Sequence, residues 1–166
     1  MDTPTDTLKW DPVLTIHKWD RTEDYEAGLE PDRVEDYHGN ILLTAGITRL
    51  LNLLTGAGGT AFNSTNCRIG VGNSTTAAAV GQTDLQGASK YFKLVSGAPN
   101  VSGNVVTFTA AFGSGVANFA WEEWGIDNGT ADGATVTAPL LNRKVEAMGT
   151  KASGSTWTVT ATITVS

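Results

Sequence analysis

The chain has 166 residues, of which 40 % are hydrophobic and 17 % are charged. This length allows one domain with a real core, and the charged fraction lies below the roughly 25 % typical of soluble domains. A single cysteine, Cys67, excludes an intrachain disulfide. The N-terminus has no signal-peptide pattern and no apolar stretch is long enough to span a bilayer, so we expect a protein made in a cytoplasm that has no membrane partner.

The negative charge is concentrated at the N-terminal end of the chain. Residues 1–38 hold 11 of the 17 acidic and 4 of the 11 basic residues, a net charge of −7, and the other 128 residues carry +1. Nucleic acid is therefore not expected as a direct partner, because phosphate binding needs clustered Lys and Arg. Two interpretations of the acidic segment stay open. It is either a solvated lead segment or a docking element for a basic surface on a neighbouring subunit.

The first predicted elements belong to this acidic segment. Residues 1–12 contain two prolines and are predicted to form an extended arm. Apolar and polar residues then alternate over Val13–Trp19, which predicts a strand. The charge-rich residues 20–36 predict a loop or ragged hairpin, with a short return strand at Val34–Tyr37.

A single convincing helix is predicted next, over about residues 41–55. Asn40 is a fair N-cap and Gly56 a suitable residue after the last turn. The apolar residues recur at helical spacing, so we expect this stripe to lie on a sheet. The stripe consists of Leu43, Ile47, Leu50, Leu51 and Leu54.

The remainder of the chain predicts strands separated by Gly-, Ser- and Asn-rich turns. The segment G-V-G-N-S-T-T lacks the Lys of a phosphate-binding loop, so we do not expect one there. The predicted strands begin at Cys67 and then cover Lys90–Val95, Val105–Phe112, Phe119–Ile126, Leu141–Met148 and Ser155–Val165. We therefore expect a mainly β protein. Its domain would be an antiparallel β-sandwich over residues 39–166 with one packed helix, preceded by the acidic arm at 1–38, in which a strand or hairpin is expected.

One carboxylate pair invites a catalytic interpretation, Glu122 and Glu123 in the segment W-E-E-W. Adjacent residues of a strand point to opposite faces, so these carboxylates cannot face each other as a glycosidase pair must. We expect one glutamate to be solvated and the other to pair with a Lys or Arg such as Arg143. No metal-ligand spacing and no nucleophile motif is present, and we expect no catalytic residues, no cofactor and no metal.

The order of motifs resembles that of small virion structural proteins of tailed bacteriophages, of the minor tail or accessory kind. More loosely, it is similar to the N-terminal attachment domain of phage tail fibres, with Q-T-D-L and E-W-G-I at the corresponding places. The similarity covers residues 39–166 and rests on these motifs: G-N-I-L-L-T-A-G-I-T-R-L-L-N-L-L, R-I-G-V-G-N-S-T-T, N-F-A-W-E-E-W-G-I-D-N-G, L-L-N-R-K-V and the terminal Thr/Val strand. No fibre shaft follows Ser166, so we expect a whole small subunit rather than the anchor of a fibre.

The resemblance implies a non-enzymatic structural subunit of a virion, in the tail or its tip, made in the host cytoplasm. Its expected partners are other virion proteins and further copies of itself. Trp10 and Trp19 are the candidate anchors of the arm, and Trp121 and Trp124 are candidate core or subunit contacts, because buried aromatic residues dominate interface energetics. A capsid decoration protein is the first alternative. A carbohydrate-binding module for host attachment, using Trp121 or Trp124, is the second, and an enzyme is the interpretation that the residues favour least.

Overall fold

A computed structural model of the chain describes residues 7–166, which form two five-stranded antiparallel sheets that pack face to face. The expected β-sandwich is thus confirmed. Sheet A has the strand order β2-β1-β10-β7-β6, and sheet B has the order β3-β9-β8-β4-β5. The strands of these residues are β1 (Trp10–Trp19), β2 (Arg33–His38), β3 (Ile41–Leu42), β4 (Arg68–Gly72), β5 (Lys90–Leu94), β6 (Asn100–Ser102), β7 (Val105–Phe112), β8 (Ala120–Asp127), β9 (Asn142–Thr150) and β10 (Thr156–Val165). The helices are α1 (Thr22–Glu26) and α2 (Thr44–Thr55).

The Thr/Val alternation of the C-terminal segment makes β10 the central strand of sheet A. Every second side chain points to the other sheet, so Val159, Ala161 and Ile163 have no exposed surface. Strand β10 pairs with β1 on one side and with β7 on the other. The alternation therefore places one apolar face of sheet A in the core and leaves threonines on its outer face.

Strand β8 carries a bulge that changes which residues reach the core. Its pairing with β9 shifts register between Trp121 and Glu123. Regular alternation would place Trp121 and Trp124 on opposite faces, but the extra residue brings both indoles into the core cluster between the sheets. Glu123 and Asp127 then point to the opposite, outer face of sheet B.

The acidic segment is part of the sandwich rather than an arm beside it. Strand β1 lies between β2 and β10, so the expected strand and hairpin are present, but they extend sheet A. Leu14 and Ile16 are fully buried in the core. Lys18 is also buried and its ammonium donates to the Met148 carbonyl of sheet B at 2.6 Å. The apolar alternation of β1 gives it a face that only the core can bury, which is why a boundary at residue 38 does not separate two packing units. Residues 1–6 of the expected arm lie outside the described residues.

Helix α2 ends as expected, with Gly56 in the left-handed conformation at φ 68°, but its start and its packing differ from expectation. Leu43, not Asn40, is the N-cap, and the Asn40 side chain instead accepts a hydrogen bond from the Trp10 indole at 2.7 Å. The helix approaches the sandwich through Gly46, where a Cβ atom would overlap the Leu141 carbonyl. The apolar stripe consequently stays largely uncovered. Leu43 is fully buried, whereas the exposed fractions of Ile47, Leu50, Leu51 and Leu54 run from 38 to 81 %.

Candidate functional site

The outer face of sheet B holds a buried ion pair between Glu123 and Arg143. Neither side chain has accessible surface, and the Arg143 Nη2 lies 2.7 Å from Glu123 Oε2. The carboxylate also accepts hydrogen bonds from the backbone amides of Gln86 and Gly87 at 3.0 and 2.6 Å. Both carboxylate oxygens are therefore occupied, and the expectation that one glutamate pairs with Arg143 is confirmed. Glu122 is only partly buried, and among residues 7–166 it forms no ion pair.

A second buried pair, Arg68 and Asp127, lies at directly opposed positions of β4 and β8. The Arg68 Nε atom donates to Asp127 Oδ1 at 2.8 Å, and Nη2 donates to Oδ2. Arg68 also donates to the carbonyls of Ala131 and Thr135, and Asp127 accepts from the Gly129 amide at 3.1 Å. The guanidinium stacks over the Phe92 ring, 4.7 Å from its centroid.

The two pairs fasten two long loops onto the outer face of sheet B. Arg143 and Glu123 hold the loop 73–89, through Thr76, Gln82, Gln86 and Gly87. Arg68 and Asp127 hold the loop 129–141. Buried charges persist only when they are paired and hydrogen-bonded, and both carboxylates here meet that condition. Their oxygens are engaged in structure, so the geometry leaves neither of them free for proton transfer.

Glycines in β4 and β8 make room for the groups that pack on the outer face of sheet B. A Cβ atom at Gly72 would overlap the Glu123 carboxylate, one at Gly70 would overlap the Phe92 ring, and one at Gly125 would overlap the Asn142 carbonyl. The alternating glycines of R-I-G-V-G are therefore packing residues of a covered sheet face. This pattern, with a lone charge at one end of an apolar strand, was the sequence signal for the Arg68–Asp127 pair that the sequence interpretation missed.

Of the four tryptophans predicted as partner contacts, the two in W-E-E-W are core residues. Trp121 and Trp124 have no exposed surface. Trp121 packs edge-on against Phe112 and Trp157, at centroid distances of 4.9 and 4.8 Å. Neither indole can contact a partner or stack on a sugar while the fold is intact, because such contacts require an accessible face. Both indoles therefore lie in the core, which is one of the two roles that the sequence analysis gave them.

The two tryptophans of the acidic segment are also engaged within the chain. Trp19 is 8 % exposed, donates to the Leu29 carbonyl at 2.8 Å and packs on Tyr25. Trp10 is half-buried and lines an open groove at the other end of β1. Trp10 is therefore the one member of the predicted set that borders an accessible surface.

That groove and the uncovered side of α2 form a continuous apolar surface, which we call the α2–β6 face. The groove has a volume of about 310 Å³. Its apolar lining includes Trp10, Leu50, Phe62, Val101, Val106 and Val165. Leu54 follows Leu50 by one helical turn and is 81 % exposed, and Val101 of the edge strand β6 is 71 % exposed. Residues 94–121 contain no charged residue, and residues 39–67 contain one, Arg49. A large apolar surface with little charge is characteristic of a protein contact site.

The densest cluster of acidic residues lies far from this face along strand β1. Six acidic residues fall in residues 20–32, beyond the Trp19 end of the strand, whereas Trp10, which Lys9 and Asp11 flank in sequence, lines the groove at the other end. A ten-residue strand is about 30 Å long, which exceeds the ~8 Å Debye length at physiological salt. The chain thus places its densest cluster of acidic residues at the opposite end of β1 from the apolar groove.

A polar cleft lies on the other side of α2. It has a volume of about 600 Å³ and is lined mainly by amide and hydroxyl side chains together with Arg49. The amide side chains are Asn52, Asn66 and Asn128. The sequence interpretation missed this cleft, because its residues come from three separate segments.

Two further titratable groups are buried without an ion pair among the described residues. The Lys151 ammonium donates to the Gly113 carbonyl and to Asn118 Oδ1, each at 2.8 Å, and burial lowers its pKa to about 8. Burial, and then the nearby Asp127 carboxylate, raise the pKa of the Cys67 thiol to about 12. A thiol with such a pKa is inert at neutral pH.

Within residues 7–166, no group of three or more His, Cys, Asp or Glu side chains is placed to hold a metal ion. None of the helices of that region has the length and apolar character that crossing a membrane would demand. No family model, curated protein or solved structure matches the chain.

Proposed function

We propose that this protein is a structural subunit of a tailed-phage virion, in the tail or its tip, that acts by packing against further copies of itself through the α2–β6 face. The uncovered Leu stripe of α2 beside an apolar groove is the observation that carries this proposal. An ordinary surface helix buries its apolar stripe in its own domain, whereas here Leu51 and Leu54 are 55 and 81 % exposed. The order of sequence motifs supports the virion context.

A second copy is the occupant that the charge distribution favours. Each chain carries a net charge of −6, so two copies repel each other unless they meet at a surface remote from the acidic residues. The α2–β6 face is such a surface, because the charge-dense residues 20–32 lie about 30 Å away along β1. Contact through this face buries mainly apolar side chains and leaves the charge-dense residues 20–32 in solvent.

Sedimentation velocity over a range of protein concentrations tests the contact. Self-association should be lost in Leu51→Glu and Leu54→Glu, since each places a charge in an apolar interface. Leu29→Glu is the matched control, because Leu29 is 56 % exposed at the acidic end of the molecule, and it should associate as the unchanged chain does. Association that survives both α2 variants, or a chain that stays monomeric at high concentration, would contradict the contact.

Quantitative mass spectrometry of purified phage particles tests the virion role. A tail or tail-tip subunit should be present in a handful of copies per particle, whereas a decoration protein would be present in hundreds. Particles that lack the chain would rule out both structural roles. Particles that contain it, but contain Leu54→Glu equally well, would show that the α2–β6 face is not the assembly contact.

A further inference from the structure

The polar cleft beside α2 has the properties of a binding site for a small acidic ligand. It is formed by three segments: one side of α2, the residues around Thr60 and Asn66, and the turn after β8 that contains Asn128. Its volume of about 600 Å³ lies within the 300–1,000 Å³ range of small-molecule sites. The α2–β6 face lies on the other side of the helix and shares no lining residue with the cleft, although Arg49 of the cleft lies over Phe62 of that face.

Arg49 supplies the positive charge of the cleft and has no carboxylate partner among the described residues. Its Nη1 atom is buried and makes no hydrogen bond within the part of the chain that the structure describes. The guanidinium lies over the Phe62 ring, 5.6 Å from its centroid. A guanidinium with an unsatisfied donor is costly to bury. Because Arg49 is only partly buried and lines the cleft, a carboxylate bound there would compensate its charge and offset part of that cost.

The charges around Arg49 favour an anion even though the whole chain is acidic. Between Tyr37 and Asp84 the sequence contains two charged residues, Arg49 and Arg68, and both are basic. The carboxylate behind the cleft, Asp127, is already neutralised by Arg68. The pKa of Arg49 is lowered, because the effect of burial exceeds the opposing effect of the Asp127 carboxylate. The charged guanidinium is thus less well stabilised here than in water.

The remaining polar groups of the cleft suit hydroxyl groups rather than a second charge. Asn128 uses its Nδ2 to donate to the carbonyls of Ala61 and Asn66, which leaves its Oδ1 as an acceptor. Asn66 likewise donates through its Nδ2, to Asn63 and Thr65, and keeps an amide oxygen. Asn52 adds both a donor and an acceptor. Amide acceptors match ligand hydroxyl donors, and Arg49 matches a carboxylate.

We propose that this cleft binds an acidic sugar, whose carboxylate pairs with Arg49 and whose hydroxyl groups donate to the amide oxygens of Asn66 and Asn128. The inference is independent of the proposed virion role. It also differs from the tryptophan-based sugar platform expected from the sequence, because both of those tryptophans are buried. The same chemistry is offered by a free uronic acid and by the uronate at the end of an acidic polysaccharide.

Titration of the full chain with glucuronate, followed by amide NMR spectra, tests the proposal. Glucuronate should cause saturable shifts at cleft residues such as Gly59 and Thr130. Glucose, which lacks the carboxylate, and acetate, which lacks the hydroxyls, should bind at least about tenfold more weakly. A uronate-terminated oligosaccharide that binds tighter than glucuronate identifies a polysaccharide end as the natural source, and equal affinity identifies the free acid.

Two variants and a matched control complete the test. Arg49→Gln should weaken glucuronate binding about tenfold or more, and Thr130→Glu, at an exposed position of the cleft, should weaken it through repulsion. Arg21→Gln removes an arginine at the acidic end and should leave binding unchanged. Circular dichroism checks that each variant is folded, and Thr130→Glu keeps the test decisive if Arg49→Gln is unstable. Absence of saturable shifts, equal binding of acetate, or full binding by folded Arg49→Gln or Thr130→Glu would overturn the proposal.

Discussion

The Glu123 carboxylate and the Arg143 guanidinium form an ion pair in which neither side chain has accessible surface. The carboxylate is completed by two backbone amides of the loop 73–89, and the guanidinium by the Thr76 carbonyl and the Gln82 side chain of the same loop. A residue pair from two strands therefore determines how a loop of 17 residues covers the sheet. The W-E-E-W segment invites a catalytic interpretation, but in this fold its Glu123 holds the loop 73–89 on the sheet.

Replacing Glu123 with glutamine should destabilise the fold by about 3 to 5 kcal/mol, because it leaves the buried Arg143 charge uncompensated. Urea unfolding followed by tryptophan fluorescence measures the change. Glu122→Gln is the matched control, because Glu122 is the adjacent, partly exposed glutamate, and it should alter the free energy of unfolding by no more than about 0.5 kcal/mol. Equal effects of the two substitutions would mean that the Glu123–Arg143 pair does not stabilise the sandwich.

Replacing Gly46 with alanine should destabilise the protein by about 1 to 3 kcal/mol, although alanine is the better helix former. The reason is the overlap of the new methyl group with the Leu141 carbonyl, a backbone atom that cannot move away cheaply. Thermal unfolding by circular dichroism measures the effect. Thr48→Ala, at an exposed position two residues further along α2, should be neutral or slightly stabilising. A stabilised Gly46→Ala variant would show that α2 does not approach the sandwich this closely.

Lys151 should contribute an increase in the free energy of unfolding as the pH rises from about 8 to 10, against an opposing decrease from the Cys67 thiol, whose pKa is raised to about 12. The pKa of Lys151 is about 8 in the folded chain and about 10.4 when unfolded, so in this range the unfolded state binds the extra proton and deprotonation favours folding. The slope from one such group is at most about 1.4 kcal/mol per pH unit. Urea unfolding at a series of pH values measures it.

Lys151→Met is the control for that pH series, because methionine cannot titrate. The difference in the free energy of unfolding between the unchanged chain and this variant should therefore grow as the pH rises from about 8 to 10. The comparison stops near pH 10, because the raised pKa of Tyr37, caused by burial and by the Glu35 carboxylate, makes stability fall above that value. An identical slope in Lys151→Met would assign the pH dependence to other groups.

Cys67 should not react with Ellman's reagent in the native protein at pH 8. The side chain has no exposed surface, and burial raises the pKa of its thiol to about 12, so almost no thiolate is present. In guanidinium chloride the same thiol should react rapidly and to one equivalent. Rapid reaction of the folded chain would indicate that the end of sheet B near β4 opens readily.

The local patterns of the sequence predicted most of the secondary structure. Strand β7 occupies the residues expected, Val105–Phe112, and the Thr/Val alternation placed the final strand within one residue of its observed start. Gly56 ended α2 as expected from its freedom to adopt a left-handed conformation. These features depend on neighbouring residues alone, so periodicity and turn chemistry are sufficient to find them.

The candidate surfaces were not predictable in the same way. The periodicity of α2 reveals an apolar stripe but does not say what covers it, and the stripe proved to be largely open. The W-E-E-W spacing did not reveal the bulge that sends both tryptophans into the core, because a bulge depends on how β8 pairs with β9. The Arg49 cleft combines residues from α2, the loop before β4 and the turn after β8, which are distant in sequence.

The sequence by itself determined that this is a β-sandwich with one substantial helix, with its charge concentrated in the first 38 residues, because alternation, helical spacing and composition are properties of the chain. The tertiary structure decided that β1 belongs to sheet A, that Glu123 and Asp127 are buried with arginine partners, and that α2 presents its leucines outward. Each of these depends on which strands pair and how closely the helix approaches the sheet. Such long-range contacts are set by the packing of the whole molecule, and no local segment encodes them alone.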